Sequence, residues 1–275
     1  MELLSEFFAS EKIEYFGVIA YSDCIEISPQ IIGRESFTPR SVILFLMPYY
    51  SGEGVNLSRY ARSRDYHIAI RGVGARLIER LSEAFPEACF KTYGDHSPIN
   101  EAHAAMSLGL GVRGDSGLLL NEKYGSYTFL GDVVTDIPPE LLGAQAPVPI
   151  GECHHCGRCK TACPTGILAG TGTDCLSAIT QRKGELAPFE IDLMLKFNTA
   201  WGCDVCQSVC PYNKNPVLTP LEFFLSDTID KLTYQELEAM PKARFEERAF
   251  AWRGRKTVMR NVEILESEER KLKRG

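Results

Sequence analysis

The 275-residue sequence has no apolar stretch of the roughly 18 residues that a membrane-spanning helix requires. Its nearest candidate, RSVILFLMPYY, is short and interrupted by Pro48, and reads as a buried strand. The N-terminus, MELLSEFFASEKIEYFGVIA, lacks the basic start and pure apolar run of a secretory signal. Positive charge is scarce too: 30 Lys and Arg against 36 Asp and Glu leave a net charge of −6 and a pI near 5.5. A general nucleic-acid binder carries a basic face, so any such role here needs a local patch. Before Cys153 only Cys24 and Cys89 occur, so a disulfide framework spread through an exported domain is not the pattern. The expectation is a cytoplasmic protein with no membrane contact.

What is present divides the chain. Leu3 to Ile13 has helical spacing, Phe16 to Ala20 and Val42 to Met47 are short apolar runs expected as buried strands, and Ile68 to Leu81 reads as a helix with Pro86 beyond it. Ile99 to Leu108 is expected as a further helix, with strands at Gly117 to Leu120 and Tyr127 to Val134. Gly109, Gly111 and Gly114 satisfy a G-x-G-x-x-G spacing, but a helix precedes them and a strand follows, the reverse of a dinucleotide loop. They read as turn glycines. Asp132 and Asp136 are expected at a strand end or turn. The proline-rich PPELLGAQAPVPI marks a boundary. The expected class is α+β: an α/β domain over 1–145, a cysteine module over 146–215 and a helical tail over 216–275. In that tail Arg253, Arg255, Lys256 and Arg260 lie close in sequence, either as a small basic surface or as a solvated helix face.

Eight of the ten cysteines fall between Cys153 and Cys210. CHHCGRCKTACP carries Cys153, Cys156, Cys159, Cys163 and Pro164 in the C-x2-C-x2-C-x3-C-P order of bacterial ferredoxins, in which the fourth cysteine ligates the other cluster. The second run, Cys203, Cys206, Cys210 and Pro211, lacks one cysteine, and Cys175 makes up the count. Crossed ligation then gives one [4Fe–4S] cluster to Cys153, Cys156, Cys159 and Cys210, and the other to Cys203, Cys206, Cys163 and Cys175. Thiolates are soft, anionic donors suited to iron. Tetrahedral zinc, held by four thiolates or by thiolates and imidazoles together, is the alternative, with His154 and His155 read as neighbours or surface residues rather than ligands. Such clusters move single electrons and carry no substrate chemistry alone.

Further segments extend the pattern beyond a ferredoxin. RYARSRDYH (Arg59 to His67), DHSPINEAHAAMSLGLGVRG (Asp95 to Gly114), LLLNEKYGSYTFLGDVVTDIP (Leu118 to Pro138) and RGRKTVMRN (Arg253 to Asn261) join the two cysteine runs. Together they resemble the epoxyqueuosine reductases, cobalamin-dependent iron–sulfur enzymes of queuosine maturation in tRNA. The chain is also more distantly similar to corrinoid reductive dehalogenases.

The resemblance implies an oxidoreductase with a cobalamin-binding-like N-terminal domain and two [4Fe–4S] clusters fed by an external low-potential donor. Electrons would reduce cobalt to Co(I), which drives removal of the epoxide oxygen. It implies Asp95 as the acid that protonates that oxygen, with His67 beside it and Tyr66, Ser97 and Asn121 as cofactor-pocket candidates. From the residues alone, Asp95 also reads as a helix N-cap and Asn121 as a turn residue. The chain departs from the family's pattern at Ala102, Val112, Asp115 and His96, around the implied pocket. It is also shorter than family members that carry a C-terminal helical-repeat domain for tRNA, which weakens the expected tRNA contact. Two other functions therefore stand beside the first: a corrinoid reductase of another substrate, and a cobalamin-free two-cluster electron carrier.

Overall fold

The structure, a computed structural model, describes residues 2–272, with side chains to residue 268. Residues 273–275 of the expected tail lie outside the described residues. The chain forms two compact units, one of residues 1–48 and 66–155, the other of residues 49–65 and 156–275.

The first unit is built on an antiparallel sheet of β1 (Phe16–Ala20), β2 (Ser41–Pro48), β3 (Phe90–Tyr93) and β6 (Thr128–Thr135), in the order β1-β2-β6-β3. A separate pair, β4 (Val112–Arg113) and β5 (Leu119–Leu120), lies between β3 and β6 in sequence. Strand β2, SVILFLMP, is buried at every position. A central strand covered on both faces needs apolar side chains on both, which is why it reads as a continuous apolar run rather than an alternating one.

The Tyr66–Ala84 helix packs on one face of the sheet and the Glu101–Ser107 helix on β2 and β6. On the first face Phe45 lies opposite Gly131, where an added Cβ would sit 2.5 Å from the Phe45 ring and 3.0 Å from Ile70. On the other face Val42, Leu44, Leu46 and Val134 form one apolar cluster with Ala104, Ala105 and Met106. Edge strand β3, FKTY, has no apolar run to announce it.

Two local expectations change. Asp132 is not at a strand end: it lies within β6, opposite Leu44 on one side and Tyr93 on the other, and is fully buried. The cap of the Glu101–Ser107 helix is Asn100, whose Oδ1 accepts the His103 N–H at 2.9 Å, and not Asp95. The stretch from Gly109 to Gly114 runs from a helix into β4, as a turn does, and Gly109 adopts φ +71°.

The second unit is helical. Its core gathers Trp201, Phe245, Phe250, Leu232, Val258 and Val262. Residues 49–65 join it as a strap. Leu57 pairs with Trp201 as an isolated bridge, the Ser58 N–H donates to Trp201 O at 2.8 Å, and the Trp201 indole N–H donates to the Tyr60 hydroxyl at 2.9 Å. Asn56 closes the same strap, donating to Leu232 O and accepting from its N–H, both at 2.8 Å. Gly202 has φ +78°, and an added Cβ would lie 2.4 Å from Ser58 Cβ, so the position needs glycine twice over.

Of the tail's basic residues, Arg253 ends the Ala251–Arg253 turn and Arg255, Lys256 and Arg260 lie on the Arg255–Leu272 helix. Lys256 is exposed, whereas Arg255 and Arg260 are engaged with backbone carbonyls. Arg255 donates to Leu237 O and to Met240 O and lies over the Phe245 ring. Arg260 donates to Gly184 O and to Asn261 Oδ1. These guanidiniums tie helix to loop. Arg255→Ala is therefore expected to lower unfolding free energy by about 1–3 kcal/mol through the stranded carbonyls; denaturant melts check it, and an unchanged midpoint would contradict this role.

Candidate active site

Asp95 follows β3 through Gly94, whose missing side chain admits Ile70: an added Cβ would meet its Cδ1 at 2.8 Å. Asp95 itself has φ +64°, a conformation that Asp and Asn tolerate better than other side chains. This turn projects its carboxyl to the start of the Tyr66–Ala84 helix. The Tyr66 hydroxyl donates to Asp95 Oδ2, and His67 Nε2 lies 3.7 Å from the same oxygen. Tyr66 is held flat against Phe129 of β6, with centroids 4.0 Å apart and planes 10° apart, and against the His67 ring at 4.2 Å. The Asp95 side chain is 61% exposed, so the carboxyl is both oriented and open to a ligand.

Behind this turn lies an acid pair, the fully buried Asp132 and the half-buried Glu101. The backbone N–H of Asp95 donates to the Glu101 carboxyl. Burial, then the neighbouring Asp132 and Asp95 charges, push Glu101 up to about 9. Burial pushes Asp132 up to about 7; the Ser97 hydroxyl offsets part of that without closing a hydrogen bond to either oxygen. Glu101 Oε1 and both Asp132 oxygens are buried without a hydrogen-bond partner.

Both folded values exceed the ordinary 4.5 and 3.8. The pair's favourable contribution to stability is thus complete below those values and is lost as pH rises through about 7 and about 9. Glu101→Gln is expected to melt higher than the parent in alkali and no higher in acid. Parallel melting curves at all pH values would contradict the assignment.

Ser97 is buried beside this pair. Asn121 is 1% exposed and holds its own loop: Nδ2 donates to Leu110 O at 2.9 Å, and Oδ1 accepts the N–H groups of Lys123 and Tyr124, each at 3.0 Å. Asp115, one of the departures, accepts from His155 at 2.9 Å, and its own N–H donates to Cys153 Sγ at 3.4 Å. Glu152 holds the other imidazole nitrogen at 2.9 Å. These two carboxylates raise the His155 value.

The cysteines of the second unit fall into two places. Cys163 lies in a turn in which burial opposes the thiolate, but the N–H groups of Leu168, Thr165 and Gly166 and the Thr165 hydroxyl outweigh it and hold its value below the ordinary one. Burial lifts Cys203 to about 11 and Cys206 to about 12, and the charges of Cys163 and Cys175 add to both. The four sulfurs are thus close enough to repel one another as thiolates. Asp204, between the second run's first two cysteines, is fixed by the strap: Ser58 Oγ donates to it at 2.5 Å and the Arg59 N–H at 2.7 Å. Elsewhere, Cys156 and Cys210 line a cavity of about 590 Å³ with Arg158 and Lys214 on its wall. None of the ten cysteines is in a disulfide.

Residues 36–95 match the family described as "Epoxyqueuosine reductase QueG, DUF1730", and residues 152–213 match the "4Fe-4S double cluster binding domain". An epoxyqueuosine reductase of Listeria monocytogenes is 31% identical over 260 residues, covering 87% of this chain and 66% of that protein. The chain matches the epoxyqueuosine reductase family.

An epoxyqueuosine reductase of Cyclobacterium marinum is 29% identical over 83% of this chain and 77% of its own length. The Escherichia coli K12 relative is 37% identical over 61% of this chain, but only 44% of that protein is covered. The chain therefore spans from under half to about three quarters of these relatives. A crystal structure of epoxyqueuosine reductase with an epoxyqueuosine-modified tRNA-Tyr stem loop superposes with a TM-score of 0.77 at 24% identity, covering 96% of this chain and 80% of that one. The Streptococcus thermophilus epoxyqueuosine reductase gives 0.73 at 22%, covering 96% and 81%. The fold is the one these reductases have. Among the described residues no helix is long and apolar enough to cross a membrane.

Proposed function

We propose that this chain reduces epoxyqueuosine in tRNA to queuosine, with cobalamin and two [4Fe–4S] clusters as resident cofactors. The observation that carries the reading is the convergence of Tyr66, His67 and Asp95 in and beside the segment that matches the reductase family.

The donor chemistry fits both cofactor types. Crowding of Cys163, Cys175, Cys203 and Cys206 makes four thiolates mutually unfavourable, and a cationic iron centre relieves that repulsion. The matched double-cluster domain over residues 152–213 supports two clusters, held by the crossed cysteine sets. At Asp95 the imidazole and the phenol are both turned to a carboxyl. That lip offers a proton rather than a metal ligand, and suits a cofactor whose metal arrives already ligated by its own macrocycle. Cobalamin, when bound, supplies low-valent cobalt as the reductant of the epoxide carbon.

The protein's own residues then handle the oxygen. Asp95 delivers a proton to the departing oxygen, the task of a positioned general acid. Tyr66 fixes the carboxyl by its hydroxyl and is itself fixed by stacking on Phe129. His67 polarises the same carboxyl from 3.7 Å.

The test is anaerobic. Protein with reconstituted clusters and added cobalamin is given epoxyqueuosine-containing tRNA and a strong chemical reductant, and queuosine is measured. Product is the expected result. No product with cobalamin bound and reduced transfers the site to another reducible substrate. No cobalamin bound leaves a two-cluster electron carrier.

A further inference from the structure

Conversion of an epoxide to an alkene and water consumes two electrons and two protons: both C–O bonds break, the carbon–carbon double bond forms, and oxygen leaves as water. The electrons come from an external low-potential donor. Asp95 can give one proton per loading, so it must be reloaded, or a second acid must serve the same oxygen. With substrate seated over its exposed side, bulk water is excluded from that side.

On the protein side of Asp95 lie Glu101 and Asp132. Glu101 opens the helix behind the turn and accepts the Asp95 backbone N–H. Asp132 comes from the middle of β6 and is fully buried. Three of the pair's four carboxyl oxygens are buried with no hydrogen-bond partner. Leaving such oxygens unpartnered costs far more when the pair is ionised than when it keeps a proton.

The groups felt by the pair, or feeling it, are Asp95 and Ser97 on the turn, Tyr93 on β3 and Cys24 beyond β1. Asp132 lifts the values of Tyr93 and Cys24 after burial has done so, which leaves neither able to neutralise it. The packing around Ala104 and Leu44 would be served as well by apolar residues, so packing alone does not account for the fully buried Asp132.

Resting on the proposed reaction, we infer that Glu101 and Asp132 form a proton store on the protein side of Asp95 that reloads it while substrate covers it. Proton transfer from the store to Asp95 leaves one negative charge shared by the pair, and the charge is neutralised from solvent once product departs. In this scheme Glu101 and Asp132 act through Asp95, as positioning and reloading residues that do not touch the substrate.

Glu101→Gln separates holding from storing. The amide oxygen still accepts the Asp95 N–H, so the turn is kept, but the ionisable proton is gone. The first readout is infrared difference spectroscopy of cofactor-free protein at neutral pH. The parent is expected to show a protonated-carboxyl band that Glu101→Gln lacks and that fades as pH passes about 9. The second is single-turnover reduction of epoxyqueuosine tRNA. Glu101→Gln is expected to bind tRNA and retain iron as the parent does, but to form product about a hundredfold more slowly. Asp132→Asn is expected to show a smaller loss.

Parent-like rates for Glu101→Gln across the pH range overturn the store and leave a purely structural glutamate. So does absence of the band in the parent. A parent that never reduces epoxyqueuosine fails the reaction itself, whatever the band shows, and the two failures are thus distinguishable.

Discussion

Asp95→Asn is expected to lower turnover of epoxyqueuosine tRNA by about 10²–10⁴-fold, the range a positioned general acid contributes. The substitution suits the question because Asp95 sits at φ +64°, where Asn is as well accommodated as Asp. The turn, the Gly94 contact with Ile70 and the backbone N–H bond to Glu101 all survive. The amide oxygen still accepts from the Tyr66 hydroxyl. Only the transferable proton is lost. Iron, sulfide and corrinoid contents measured on the same preparation should equal the parent's, because no cysteine is touched. Parent-like turnover with those contents intact would remove Asp95 from the chemistry and return it to a turn-forming role.

Loss of a cluster by substitution far from its main run is the second large effect expected. Cys163→Ala should reduce iron and acid-labile sulfide to about half, with the lost cubane being the one held mainly by Cys203 and Cys206. Its thiolate is favoured by three backbone N–H groups and the Thr165 hydroxyl, and its charge is felt by both of those cysteines. The decisive comparison is the double variant Cys163→Ala with Cys206→Ala. Crossed ligation predicts the same remaining iron as either single variant, since both residues serve one cluster. Assignment of Cys163 to the run in which it stands predicts loss of both clusters. Mössbauer or EPR spectra of the three proteins, reconstituted side by side, decide it.

The same cysteines show how much a local pattern carries. The spacing of CHHCGRCKTACP and the proline after the fourth cysteine point to iron–sulfur chemistry because a cubane requires short, fixed reaches between thiolates. The strand at Phe16–Ala20, the buried run of β2 and the long helix beginning at Tyr66 were equally legible, since hydrophobic periodicity is a property of neighbouring residues. Edge strand β3 was not, being short and half exposed.

Asp132 and the tail arginines show the other half. An isolated aspartate in GDVVTD reads as a turn residue because burial of a carboxyl is rare, and only the pairing of β6 with β2 and β3 puts it inside. Arg255 and Arg260 look like a basic surface until the carbonyls of Leu237, Met240 and Gly184 are seen to meet them. The strap at residues 49–65 carries no cysteine, and nothing in its composition ties it to Trp201 or Asp204.

The apolar strands, the long helix, the thiolate runs and the family likeness could be read from residues a few positions apart. Only the folded chain brings Tyr66 to Asp95 across 29 positions and sets Glu101 beside the buried Asp132. Those meetings depend on how strands pair and which sheet face each helix covers, and desolvation, the force that shifts their protons, exists only once the chain has folded.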